Sequence, residues 1–211
     1  MSNILEQMQK DIYSGKADEV GAATQKALDE GLSTQEILND GLIGGMDEVG
    51  KDFRAGDLFI PEVLMSAKAM HAGMAVLRPL LAESGALSLA KMVIGTVAGD
   101  LHDIGKNLVG MMLEGAGFET IDLGTDVSPE KFVEAVRTEG AELLGMSALL
   151  TTTMPGMKVT IEALTEAGLR DRVKVIVGGA PVTASFAEEI GADAYAPDAA
   201  SAVDTARSLV A

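Results

Sequence analysis

Five short apolar runs separated by helical stretches fill the chain from about residue 90 onward. Of all the features of the sequence, this alternation most restricts the folds that the chain can adopt. The runs lie at 92–98, 120–124, 142–149, 174–179 and 193–196. Because they are apolar throughout and rich in β-branched residues, they predict parallel strands buried on both faces. Helical patterns lie at about 104–116, 129–139, 155–168, 181–190 and 198–210. The alternation predicts an α/β domain, a flavodoxin-like (Rossmann-like) doubly wound sheet of five parallel strands.

The first 85 residues show helical periodicity without strand patterns. A capping box at Ser33–Glu36 marks the start of a third helix. Pro61 suits the first turn of a fourth helix, because the amide hydrogen that proline lacks is unpaired there anyway. Four helices with short connections predict a four-helix bundle. The domains expected are a bundle at 1–85, a linker at 86–90 and the α/β domain at 91–211.

Charge and composition narrow the possible partners. The chain has 32 acidic and 16 basic residues and a net charge of −16, so nucleic acid and anionic membrane surfaces would repel it. It has no cysteine, which excludes disulfides and thiolate metal sites. No apolar run reaches the length of a membrane span, and the first residues lack a secretory signal pattern. We therefore expect a cytoplasmic protein with neither nucleic acid nor membrane as a partner.

Polar and glycine residues follow the predicted strands at their carboxyl ends, where a doubly wound sheet binds its ligands. In chain order they are Asp100, His102, Ser147, Thr151, Thr153, Gly178, Gly179 and Tyr195. We expect them to gather at one edge of the sheet.

The residue types at this edge fit some chemistries better than others. A dinucleotide site needs G-x-G-x-x-G after the first strand, a spacing that the glycines here do not have. Zinc usually takes three or four side chains, and the second histidine, His71, lies in the helical half. A Ser-His-Asp hydrolase fits the residue types, but no G-x-S-x-G motif is present. One histidine can be an axial ligand to a metal held by a macrocycle, with Asp100 orienting the imidazole.

The stretch GDLHDIGKNLV at 99–109 resembles the D-x-H-x-x-G signature of the corrinoid proteins of cobalamin-dependent methyltransferases. MSALLTTTM at 146–154 and VIVGGAPV at 175–182 follow in the family's order. MDEVGKDFRAGDLFIPEVLMSAKAM at 46–70 resembles the helical cap of the same family. The likeness covers nearly the whole chain. It is similar to the cobalamin-binding module of methionine synthase and more closely to free-standing corrinoid proteins for methanol, methylamines or aryl methyl ethers.

The resemblance implies roles for three residues around the histidine. His102 would be the lower axial ligand of cobalt and therefore the metal-binding residue. Asp100 would hydrogen-bond His102. Thr153 would extend this relay at a position where methionine synthase has a serine, so the hydroxyl is kept.

Further residues are implied in binding the corrinoid. They are Phe53, Ile60, Gly99, Leu101, Asp103, Ile104, Gly105, Ser147, Leu149, Thr151, Gly178, Gly179, Tyr195 and Ala199. Within this set, Ser147 and Thr151 would receive the displaced nucleotide tail of the cofactor, and the glycine pair 178–179 would line its slot. Phe53 and Ile60 would cover the upper face of the corrin ring.

The function implied by the resemblance is that of a methyl carrier that is not catalytic on its own. Its cofactor would be cobalamin, as methylcobalamin or in the Co(I) and Co(II) states. A substrate-specific methyltransferase would load the methyl group. A second methyltransferase would pass it to tetrahydrofolate or a thiol, and a reductive activator would rescue the Co(II) form.

Two rival interpretations come from other classes of protein. A cobalamin-binding sensor or regulatory protein would pair a similar domain with a DNA-binding or signalling module. The sequence has no basic recognition helix, and its net charge of −16 is unfavourable for DNA. A small subunit of an adenosylcobalamin mutase is disfavoured by the methionine-synthase-like cap.

Overall fold

The structure, a computed structural model, describes residues 3–84 and 89–211. The chain divides into two compact units, Met1–Ser88 with Glu114–Gly117, and Leu89–Leu113 with Phe118–Ala211. Most of the linker expected at 86–90 lies outside the described residues.

The first unit is helical. Its elements are α1 (Asn3–Tyr13), α2 (Ala17–Asp29), α3 (Thr34–Glu36), a π-helical segment (Ile37–Ile43), α4 (Gly44–Ala55) and α5 (Ile60–Ser84). The segments from α3 to α4 are continuous, so the described residues of this unit form four helical stretches. The predicted capping box is present, because Ser33 Oγ accepts from the Glu36 amide while the Glu36 carboxylate accepts from the Ser33 amide.

The third helical stretch contains a π turn that the sequence did not indicate. Helix α1 packs closely against this stretch, since a Cβ atom at Gly41 would lie 2.7 Å from Met8 Sδ. A Cβ atom at Gly45 would lie 3.0 Å from the Cβ of Ile12. The π-helical segment has only seven residues and lies between α-helical residues, so it is too short to set an apolar period of its own. The periodicity therefore predicts a plain helix here.

The second unit alternates strands and helices. Its elements are β1 (Lys91–Thr96), α6 (Ile104–Gly115), β2 (Glu119–Asp122), α7 (Pro129–Glu139), β3 (Leu143–Ser147), α8 (Pro155–Glu166), a 3-10 turn (Arg170–Arg172), β4 (Lys174–Gly178), α9 (Ala184–Ile190), β5 (Ala194–Ala196) and α10 (Ala199–Val210). All strand pairs are parallel, in the order β2-β1-β3-β4-β5. This is the flavodoxin-like order, so the predicted fold class is confirmed.

Strand β1 is an interior strand of this sheet, between β2 and β3, and close packing restricts which residues it can carry. A Cβ atom at Gly95 would lie 2.7 Å from the ring of Phe132, a fully buried residue of α7. The chain leaves β1 for β2 on one side and later returns to β3 on the other. The gap between the carboxyl ends of β1 and β3 is therefore the switch point at which such sheets bind ligands.

Two helix ends differ from the periodicity because local turn chemistry decides them. Helix α9 begins at Ala184 rather than 181, since Thr183 is its N-cap and accepts from the Phe186 amide. Helix α8 ends at Glu166, two residues before Gly168 takes a left-handed φ of 68°. Within the described ranges, no helix has both the length and the apolar content needed to cross a membrane.

Candidate functional site

The loop between β1 and α6 carries Asp100 and His102 to the switch point of the sheet. The Asp100 side chain is completely buried, whereas that of His102 is 52% exposed. The loop thus keeps a carboxylate inside the protein and presents an imidazole at the surface.

Asp100 and His102 form the hydrogen bond that the sequence led us to expect. His102 Nδ1 lies 2.7 Å from Asp100 Oδ1, and the His102 amide donates to the same oxygen over 3.1 Å. Because an ionised Asp100 can only accept, a neutral imidazole here has its proton on Nδ1 and its lone pair on Nε2. Nε2 has no hydrogen-bond partner within the described residues, so it is available to a ligand.

The second oxygen of Asp100 is held from the loop that follows β3. Oδ2 accepts from the amides of Leu149 and Leu150, at 2.8 and 3.2 Å. The Thr153 hydroxyl donates to it over 2.8 Å, so the expected extension of the relay is present. The carboxylate is therefore fixed at both oxygens, and the imidazole that it holds has a defined direction.

The environment of Asp100 keeps it charged. Burial acts to raise its pKa, but the hydrogen bonds from His102, Leu149 and Thr153 outweigh burial and hold the pKa well below its usual value. Asp100 is consequently an ionised acceptor for Nδ1–H over the physiological pH range.

Glycines at this edge serve two different purposes. A Cβ atom at Gly179 would lie 1.9 Å from the carbonyl oxygen of Ala148, and one at Gly178 would lie 2.8 Å from that of Ala196. A side chain at either position would clash with the protein backbone, so both glycines are needed whether or not a ligand is bound beside them. At Gly105, by contrast, no protein atom lies within 4 Å of an added Cβ. The first turn of α6 therefore leaves open space in which a ligand would fit.

Exposed apolar side chains accompany the imidazole. Leu101 and Ile104 are 74% and 73% exposed, and Leu149 and Leu150 are each 42% exposed. Grouped apolar exposure of this kind marks a surface that binds a partner or a large apolar ligand. In the part of the chain that the structure describes, no group of three or more His, Asp or Glu side chains is placed to hold a metal ion. An outward imidazole beside an apolar surface fits a macrocycle that brings its own metal donors.

The other residues expected at the site occupy varied positions. At the sheet edge, Ser147 is half-buried and Thr151 is exposed, while Tyr195 packs partly buried against the core. Ala199 is buried in α10, and exposed Asp103 accepts from the Asn107 side chain over 3.1 Å. In the first unit, Phe53 is half-buried on α4 and exposed Ile60 begins α5. Their contacts with a corrinoid stay predictions.

Two residues that fix the histidine loop were not predicted from the sequence. The Thr96 hydroxyl donates to the carbonyl oxygen of His102 over 2.8 Å, and Asp126 Oδ1 accepts from the Gly99 amide over 2.7 Å. Thr96 is one residue of an apolar strand, and Asp126 lies in a turn after β2. Neither position has a sequence signal that links it to His102.

Comparison with known proteins gives matches along both units. Residues 90–204 match a family model described as a B12 binding domain, and residues 4–78 match a second model of the same description. A dimethylamine corrinoid protein of Methanosarcina barkeri is 49% identical over 209 residues, covering 99% of this chain and 98% of that protein. A corrinoid protein of Desulfitobacterium hafniense is 44% identical over 211 residues, covering 99% and 98%.

A solved structure extends this likeness to the fold. A chain of the methanol:cobalamin methyltransferase complex MtaBC from Methanosarcina barkeri has a TM-score of 0.87 and 32% identity. The match covers 99% of this chain and 80% of that one. The two family models and the fold define a B12-binding protein. Given full-length relatives of this identity, the chain belongs to the corrinoid proteins, and its cofactor is a corrinoid.

Proposed function

We propose that the chain is a methyl carrier between two methyltransferases. One enzyme, specific for the methyl donor, loads the carrier, and a second passes the methyl group to tetrahydrofolate or a thiol. The corrinoid, when bound, supplies the cobalt centre that holds the methyl group. Support comes from the relatives, one described as a dimethylamine corrinoid protein and one taken from a methanol:cobalamin methyltransferase complex. A reductive activator and a cytoplasmic location belong to the same proposal.

The observation that carries the proposal is the 2.7 Å contact between His102 Nδ1 and Asp100 Oδ1. It leaves Nε2 as the free nitrogen of an exposed ring, the form in which an imidazole binds a metal. We infer that His102 would bind the cobalt of the corrinoid through Nε2. The open side of Gly105 and the exposed Leu101 and Ile104 would face the macrocycle.

Asp100 and Thr153 act on the cobalt only through His102. The carboxylate keeps the proton on Nδ1 and the lone pair on Nε2, and the hydroxyl and two amides keep the carboxylate in place. Since these bonds do not involve Nε2, the imidazole stays oriented whether or not it is bound to the metal. Such partners of a metal ligand commonly alter affinity or activity by 10- to 100-fold when mutated.

Electron paramagnetic resonance of the corrinoid-loaded protein in the Co(II) state tests this assignment. We expect nitrogen superhyperfine splitting from a protein imidazole, and its loss in His102→Ala. That variant should keep part of its corrinoid through the contacts proposed for Ser147, Thr151 and the glycine pair 178–179. Labelling the wild type with ¹⁵N-histidine should change the splitting.

The chain supplies a matched control, because it has two histidines. His71, on α5 of the first unit, is also partly exposed. His71→Ala should keep the splitting of the wild type. An unchanged spectrum in His102→Ala, or a changed one in His71→Ala alone, would refute the ligand assignment.

A further inference from the structure

Asp126 has an unusual backbone conformation for its residue type. Its φ is 52°, and within the described residues it is the only non-glycine residue with a positive φ. Its side chain is exposed in the turn after β2. Asparagine and aspartate tolerate this left-handed region better than other side chains do, but it still has a conformational cost. A contact that depends on this conformation is therefore worth identifying.

Asp126 holds the backbone of Gly99 and Asp100 at two points. Its Oδ1 accepts from the Gly99 amide over 2.7 Å, and its own amide donates to the Asp100 carbonyl oxygen over 3.0 Å. The pairing of Val97 with Val127 as a parallel bridge places the two loops side by side. Gly99 itself has a φ of 79°, so the turn needs a residue without a side chain at that point.

A second hydrogen bond fixes the backbone on the other side of His102. The Thr96 hydroxyl donates to the His102 carbonyl oxygen, so the backbone is fixed both before and after the imidazole. The hydrogen bonds to the Asp100 side chain fix the carboxylate, but they do not fix the backbone at Gly99. Among the described contacts, the side-chain hydrogen bond to the Gly99 amide comes from Asp126.

We propose that Asp126 is a positioning residue for the cobalt ligand, setting the direction of His102 through the backbone of Gly99 and Asp100. The inference rests on the proposed ligation by His102. The bond from Gly99 to a carboxylate is charge-assisted and short, which makes it stronger than a neutral hydrogen bond. Without this hydrogen bond the turn at Gly99 can take other conformations. The fraction of molecules in which His102 Nε2 reaches the metal should then fall.

Three substitutions separate positioning from backbone strain. Asp126→Asn keeps an acceptor and tolerates the positive φ. Asp126→Gly removes the acceptor but relieves the φ cost, and Asp126→Ala removes the acceptor and adds strain. The exposed Asp171 has no hydrogen bond or ion pair from its side chain within the described residues, so Asp171→Ala controls for loss of one surface charge.

Two measurements are made on each protein: the fraction of Co(II) corrinoid with histidine superhyperfine splitting, and the thermal midpoint of the apoprotein. We expect Asp126→Gly and Asp126→Ala to lower the ligation equilibrium constant by about tenfold, the scale of one charge-assisted hydrogen bond. Asp126→Asn should lower it less than these two, because it keeps a neutral acceptor, and Asp171→Ala should stay within about twofold of the wild type. The thermal midpoint should fall more in Asp126→Ala than in Asp126→Gly, because the alanine variant alone adds strain.

The outcomes distinguish this inference from the function on which it rests. Wild-type protein without histidine splitting would refute the ligation itself. Wild-type splitting that persists unchanged in both Asp126→Gly and Asp126→Ala would overturn the positioning role alone. If Asp126→Ala does not fold, the glycine and asparagine variants decide the matter, and equal ligation in those two would also overturn it.

Discussion

At the scale of single residues, Asp100 has the most demanding environment in the α/β unit. It is fully buried and receives five hydrogen bonds, from the His102 ring and amide, the Leu149 and Leu150 amides and the Thr153 hydroxyl. A buried carboxylate is tolerated only when such donors replace water. The same bonds that stabilise its charge also aim the imidazole, so stability and function share one set of contacts.

We expect Asp100→Asn to destabilise the apoprotein by about 3 kcal/mol at pH 7, because its NH₂ group would face amide and hydroxyl donors. The loss of unfolding free energy caused by Asp100→Asn should depend on pH. The folded-state pKa of Asp100 lies below the unfolded value of about 3.9, so its stabilising contribution is complete above that value and is lost as the pH falls. Urea unfolding at pH 7 and pH 3 should show the difference between variant and wild type shrinking at pH 3.

Asp103→Asn is the control for this pH experiment. Asp103 lies in the same loop but is exposed, and its carboxylate accepts from the Asn107 side chain. We expect a change within about 0.5 kcal/mol at both pH values. An Asp100→Asn deficit that is equal at pH 3 and pH 7 would show that the charge of Asp100 does not stabilise the folded protein.

The residues of the site differ in how far the sequence could predict them. Asp100 and His102 stand in one motif, and Thr153 follows from a second motif, so their hydrogen bonds could be expected. Thr96 and Asp126 reach the histidine loop because the sheet brings β1 and the turn after β2 side by side. That proximity depends on three-dimensional pairing, and neither residue type signals it in the chain.

At the scale of elements, a buried ion pair joins α6 to the end of β2. The Lys106 side chain is 1% exposed and pairs with Asp122, which is 47% exposed and also accepts from the Gly124 amide. The Lys106 ammonium also donates to Asn107 Oδ1 over 2.7 Å. The two partners differ in how much they depend on the ion pair. Water can hydrate an unpaired Asp122 but cannot easily reach an unpaired Lys106.

This inequality predicts unequal effects of mutation. Asp122→Asn should cost about 2 kcal/mol of unfolding free energy, since it leaves a buried ammonium without its counter-charge. Lys106→Met should change stability by less than about 1 kcal/mol, because an apolar chain of similar length replaces the buried stem. Urea unfolding gives both values, and the double variant should resemble Lys106→Met rather than the sum. A larger cost for Lys106→Met than for Asp122→Asn would show that the buried ammonium does not depend on Asp122.

The elements themselves were largely predictable, for a physical reason. Strands buried on both faces require continuous apolar runs, and the five runs correspond to β1–β5. Errors fall where a local contact overrides periodicity. Thr183 caps α9 three residues later than expected, and the π turn at Ile37–Ile43 forms where the glycines of that stretch meet α1.

At the scale of the whole molecule, the change of pattern near residue 90 corresponds to a division into two units. Separate family models match 4–78 and 90–204. The main apolar cluster of the α/β unit contains buried residues from Val93 to Ile190, and all of them belong to that unit. We therefore propose that the bundle and the α/β domain are separate folding domains, as the predicted boundary at 86–90 implies.

A fragment of residues 89–211 should consequently fold on its own. It contains all five strands and the cluster around Phe132 and Leu144, so the residues that build this cluster all lie within the fragment. We expect native-like circular dichroism and a single cooperative urea transition, with a denaturant dependence suited to its size. A fragment that starts at residue 98 is the control, because it lacks β1, the interior strand between β2 and β3, and should not unfold cooperatively. A gradual transition with strong dye binding by the longer fragment would show a molten state and refute independent folding.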